Sequence, residues 1–256
     1  MQKNGSEVDK ESFDYIVNRE AGSSNVVSAH GYKRDCDRDG HVLPERQIDD
    51  PAAPGGRRGM RINDFANLEI AKECKLTKAE VIALRFYTTS GFKTINNALR
   101  DRDRLQRGET HPLPIMVWLL QNAVKKMRTQ AANSDTCMQK LDLYRGMSNV
   151  VFESDFMSKG GTELAPMSTT KDLAMAIEFS SEGARSVLLR VRTTGFMNRG
   201  AQLGWLSVFP FEVEYLYPPA TFLKPLRAKP YDFQIEKRNG SEKKIFQVVD
   251  VEPQLS

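Results

Sequence analysis

The chain has 256 residues, 40% hydrophobic and 27% charged, which is ordinary for a globular protein and enough to bury a substantial core. Its net charge of +4 is scattered among acidic residues rather than gathered into a stripe, which argues against a nucleic-acid surface, and no stretch reaches the roughly 18 apolar residues a membrane helix needs. The polar start, Met1-Gln2-Lys3-Asn4, lacks the apolar core of a secretory signal, so an intracellular location away from membranes is expected.

Residues 1–58 are rich in charge and small polar side chains. They include Pro51-Ala52-Ala53-Pro54-Gly55-Gly56, which reads as a linker. The segment is expected to be disordered or loosely attached, leaving residues 59–256 as the functional domain. Arg57-Arg58 reads as part of a solvated loop. Asp35, Asp37, Asp39 and Gly40 have the spacing that begins a calcium loop, but position twelve is Arg46 instead of the bidentate glutamate. Cys36, Cys74 and Cys137 are far apart and His30, His41 and His111 are scattered. Free thiols and no metal are therefore expected.

From Asn63 the pattern becomes helical. Phe65, Leu68, Ile70 and Ala71 predict a short helix. Thr77 and Glu80 form a capping box ahead of a helix running to about Thr88, which Gly91 stops. A third helix is expected over 94–105, and Pro114 opens a longer one reaching about Arg128. After residue 140 the period switches to that of strands, expected over 141–147, 163–168, 185–194, 211–217, 220–225, 232–237 and 244–251. One helix, 173–179, interrupts them, and Asn239-Gly240 predicts a hairpin turn. Helices first and strands afterwards indicate an α+β fold.

In a strand over 211–217, Glu212 and Glu214 share one face. Alone, such a pair is a wet acidic edge. Three neighbours alter that reading. Leu143-Tyr144-Arg145-Gly146 ends an apolar strand on an arginine and a glycine. Ser168-Thr169-Thr170 precedes a helix. Gln202-Leu203-Gly204-Trp205-Leu206-Ser207 leads into the acidic pair with the look of two turns, and Trp205 there could touch a partner or fill the core.

In this order the motifs resemble the R-S-E class of mono-ADP-ribosyltransferases, which includes clostridial binary toxins, Rho-modifying exoenzymes and vertebrate arginine-specific ecto-enzymes. The stretch from Phe86 to Arg100 is similar to the helical segment of these enzymes, and the resemblance spans residues 63–252. Thr170 stands where the family has a final serine, and keeps the hydroxyl. The resemblance implies N-terminal helices followed by two packed antiparallel or mixed sheets around an NAD cleft. NAD would be the co-substrate and no metal would take part. Arg145, Ser168, Glu212 and Glu214 would be catalytic. Arg145, Gly146, Ser168, Thr169 and Glu214 would hold NAD. The acceptor would be a protein with an exposed arginine, because a carboxylate at Glu212 goes with arginine targets in this class. Two alternatives stay open on the same residues: an inactive NAD-binding or interaction module, and an NAD glycohydrolase with water as acceptor.

Overall fold

The computed structural model describes residues 5–23, 27–28, 31–41, 56–152, 155–180, 186–236 and 243–255. They divide into two compact units: 1–130 with 201–213, and 131–200 with 214–256.

The first unit is helical. Its helices are α1 (Gly5–Asn18), α2 (Ile62–Asn67), α3 (Glu69–Glu73), α4 (Lys78–Tyr87), α5 (Phe92–Arg100), α6 (Arg102–Gln106) and α7 (Pro114–Ala131). The capping box forms as the sequence implies. Thr77 Oγ1 accepts from the Glu80 amide at 3.2 Å, and the Glu80 carboxylate accepts from the Thr77 amide at 2.7 Å. The single helix expected over 94–105 is two helices. Asp101 leaves the helical conformation and caps α6 by accepting from the Arg104 amide, a role a short acidic side chain fills better than continued helix. Phe65, Val81, Leu84, Ile95, Leu120, Val124, Leu203 and Leu206 are buried in this unit.

Within the leading segment, expected to be disordered or loosely attached, several described residues are buried. α1 buries Tyr15 and Ile16, and Asp35 and Arg57 are 1% and 4% exposed. Tyr15 donates to Asp35, and the Arg57 and Arg85 guanidiniums lie 3.7 and 3.2 Å from its carboxylate. Burial pushes the Arg57 guanidinium down to about 10. Arg57 is thus a buried ion-pair partner and not a solvated loop residue. A sequence rich in charge looks dispensable to a core only until its charges neutralise one another. The proline-rich residues 51–55 lie outside the described residues.

The second unit is built on a sheet. β1 (Leu141–Ser148), α8 (Phe156–Lys159), β2 (Gly161–Glu163), β3 (Met167–Thr170), α9 (Leu173–Phe179) and β4 (Ser186–Thr193) come first. β5 (Ala201–Gln202) belongs to the first unit, and β6 (Glu214–Tyr217), β7 (Thr221–Pro225), β8 (Tyr231–Glu236) and β9 (Lys243–Gln254) complete the chain. Within this unit the strands run in the order β2-β7-β9-β4-β1-β3-β6, with β8 also on β9. β4 and β9 are parallel and the remaining pairs antiparallel, the mixed arrangement of the expected α+β class. These two central strands are buried on both faces: Leu189 and Val249 pack on one side, Leu188 and Val248 on the other. Their near-continuous apolar runs follow from that position. The strand expected over 163–168 is split into β2 and β3. Pro166 lacks the amide that a continuous ladder needs. β8 and β9 pair as the hairpin signal predicts, but Asn239-Gly240 itself lies outside the described residues.

α9 lies against β1 so closely that a side chain at Gly146 has no room. A Cβ there would stand 1.8 Å from the Ala176 carbonyl oxygen. Gly146→Ala should therefore push α9 off the sheet and lower stability by about 1–3 kcal/mol or more. Urea unfolding checks this, and an unchanged midpoint would show that the helix yields without cost.

Candidate active site

β3 and β6 pair antiparallel with Thr170 opposite Glu214 and Ser168 opposite Leu216. Ser168 is then the diagonal neighbour of Glu214 on the same sheet face, within reach of a hydrogen bond. The Ser168 hydroxyl donates to Glu214 Oε1 at 2.5 Å. β1 lies on the other side of β3, with Tyr144 opposite Thr170. The next residue, Arg145, donates through Nη1 to the Ser168 carbonyl at 2.9 Å. Strand register thus brings together three residues that are 23 and 46 positions apart in sequence.

The other hydroxyls of the motif serve the backbone. Thr169 Oγ1 donates to the Tyr215 carbonyl at 3.0 Å, and Thr170 Oγ1 accepts from the Asp172 amide at 2.9 Å. Asp172 caps α9 by accepting from the Ala174 and Met175 amides, which turns the chain directly after the motif.

Glu214 is 6% exposed. Burial pushes its carboxyl up to about 7, although the Ser168 hydrogen bond and the Arg145 charge both act to lower it. A carboxylate held this way can stabilise positive charge forming beside it, and the Arg145 guanidinium suits phosphate oxygens.

Glu212 does not share a strand face with Glu214 as the alternation predicted. Residues Pro210–Glu212 form a 3-10 turn, Val213 takes a left-handed conformation at φ 45°, and the strand begins only at Glu214. Pro210 favours the turn, and the left-handed step resets the side-chain alternation. A β-branched residue in that region is strained, and strain of this kind gathers at functional sites. Glu212 is half-buried and closes the first unit, while Glu214 opens the second. Trp205 is half-buried too, with a buried indole nitrogen that has no hydrogen-bond partner.

Sequence reasoning missed the buried charges around Asp35, because nothing in their spacing announces a cluster. It also treated His41 as isolated. Potential ligand atoms of Asp37, Asp39 and His41 lie within 4.8 Å of one another, and His41 already bonds Asp37 through its amide at 2.8 Å. Among the described residues no helix is long and apolar enough to cross a membrane.

The raised Glu214 carboxyl has a consequence for stability. Its protonated form favours folding, fully below the ordinary value of 4.5, and that contribution is lost as pH climbs through about 7. Glu214→Gln cannot ionise. It should match the parent near pH 4.5 and gain on it by about 3 kcal/mol toward pH 8. Urea midpoints across that range test this, and a gap that does not widen with pH would mean Glu214 is not held up by burial.

The chain is similar in fold to several solved structures. HopU1, an ADP-ribosyltransferase of Pseudomonas syringae, is 17% identical at TM-score 0.51, and the match covers 97% of this chain and 98% of that one. Plx2a, an ADP-ribosyltransferase toxin from Paenibacillus larvae, is 19% identical at TM-score 0.50, over 76% and 95% of the two chains. The Vis ADP-ribosyltransferase of Vibrio splendidus, in complex with an inhibitor, is 20% identical at TM-score 0.50, over 76% and 83%. No curated protein sequence matches. A family model described as ADP-ribosyltransferase exoenzyme matches residues 63–250, most of the sequence and both units, and the chain therefore belongs to that family of NAD-using ADP-ribosyltransferases.

Proposed function

We propose that this protein transfers ADP-ribose from NAD to an arginine side chain of an acceptor protein. The observation that carries the reading is the buried Glu214, held by Ser168, with a second carboxylate, Glu212, two residues before it in the chain.

Cleavage of the nicotinamide–ribose bond sends the bonding electron pair to nicotinamide and leaves a ribosyl centre of oxocarbenium character. Ionised Glu214 stabilises that cation and accepts a hydrogen bond from the ribose 2′-hydroxyl. Ser168 fixes the carboxylate, so its orientation is set before substrate arrives. Arg145 pairs with a phosphate of NAD through its planar fork. The backbone of Gly146 pairs with the nicotinamide carboxamide.

The acceptor needs a different group. A guanidinium with a pKa above about 12 is a poor nucleophile in water. Glu212 pairs with the incoming arginine and takes its proton as the nitrogen bonds to the anomeric carbon. The product is an N-glycosidic ADP-ribosyl arginine and free nicotinamide. No metal takes part in these steps.

With labelled NAD and agmatine, Glu212→Gln should abolish transfer while NAD hydrolysis continues, and Glu214→Gln should reduce both by about a hundredfold or more. Equal loss of both reactions in Glu212→Gln would overturn this division of labour. Absence of labelling and of free nicotinamide in the parent would overturn the reading altogether. Because Glu214 must be ionised, kcat/KM for NAD should rise with pH through about 7 and level off above it. A flat profile from pH 5.5 to 8.5 would exclude that requirement.

A further inference from the structure

Loop 203–213, which carries Trp205 and Glu212, is held by the leading segment of the chain through buried charge. Asp35 sits at its centre with a left-handed φ of 53° and a side chain fully out of solvent. Its carboxylate takes the Tyr15 hydroxyl and pairs with Arg57 and Arg85. Both guanidiniums also donate to loop carbonyls: Arg85 Nη1 to Leu206 at 2.7 Å, and Arg57 to Ser207 and Gly204. The Asp35 amide donates to the Val208 carbonyl at 2.7 Å, and the Val208 amide donates to Thr88 Oγ1 at 3.1 Å. Toward the far end of the loop, the Tyr32 ring meets Phe211 edge-on at 4.6 Å, one residue before Glu212.

Such a loop cannot drift at low cost. Moving its carbonyls strips acceptors from two buried cations, and an unpaired buried charge is far more costly than an unpaired amide. Arg57 and the Asp35 amide bond carbonyls of the loop before Glu212, and the Tyr32 ring packs on Phe211 beside it.

We infer that the Asp35–Arg57–Arg85 cluster, with Tyr32 on Phe211, is a positioning device for acceptor transfer, fixing the backbone that presents Glu212 without taking part in NAD cleavage. The inference rests on the arginine-transfer reading above. It makes Tyr32, Asp35 and Arg57 a working part of acceptor choice. A nucleophile must meet the anomeric carbon during the short life of the cationic centre, and a misplacement near 1 Å costs about a hundredfold.

The test compares transfer to agmatine with NAD hydrolysis in the full chain. Arg57→Lys keeps the charge but cannot reach both Ser207 and Gly204. Tyr32→Ala removes the ring on Phe211 and leaves the buried charges in place, and covers the case in which Arg57→Lys fails to fold. Either folded variant should lower the ratio of ADP-ribosyl-agmatine to free ADP-ribose about ten- to a hundredfold and raise KM for agmatine, with KM for NAD and the hydrolytic kcat within about twofold of the parent. Equal loss of both reactions, or no change in the ratio in either variant, overturns the inference. Glu212→Gln run alongside separates the two levels. If it lowers the ratio and neither positioning variant does, the positioning role fails alone. If Glu212→Gln leaves the ratio unchanged, the arginine reading fails and this inference with it.

Discussion

The antiparallel register of β3 on β6 is the constraint on which the site depends. With Thr170 opposite Glu214, Ser168 falls on the diagonal and its hydroxyl reaches the carboxylate. A slip of one residue would send Ser168 to the opposite face and leave Glu214 buried without its donor. Met167 and Tyr217, opposite one another and buried in the core, resist that one-residue slip, which would turn both side chains to the other face. Arg145 completes the arrangement from β1, binding the backbone of Ser168 while its charge offsets part of the burial of Glu214.

The carboxylate near neutral pH is a product of this packing. Burial alone would keep Glu214 protonated well into the working range, and one hydroxyl together with one guanidinium brings it back to about 7. The group is then poised to change charge near neutral pH.

The first unit solves a different physical problem, which is how to fix the polar backbone of a loop whose Leu203, Leu206 and Val208 side chains are already buried. Gly204, Leu206, Ser207 and Val208 are fixed by donors from residues more than a hundred positions away, gathered around one buried aspartate. The sequence disguises this. Asp35-Cys36-Asp37 and Arg57-Arg58 look solvated because composition counts charges without pairing them.

Periodicity in the sequence was sufficient for the capping box at Thr77, the helix over 173–179, the long helix from Pro114 and the apolar central strands. Each rests on interactions within a few residues, or on a burial pattern that repeats locally. The motif residues Arg145, Ser168 and Glu214 were likewise legible, as residue types in a fixed order. Only the tertiary structure decided their register, the raised carboxyl of Glu214, the left-handed break at Val213 that separates Glu212 from it, and the pairing of Asp35 with Arg57 and Arg85. The physical reason is range. Burial and pairing depend on partners tens of residues away, whose identity no local pattern carries.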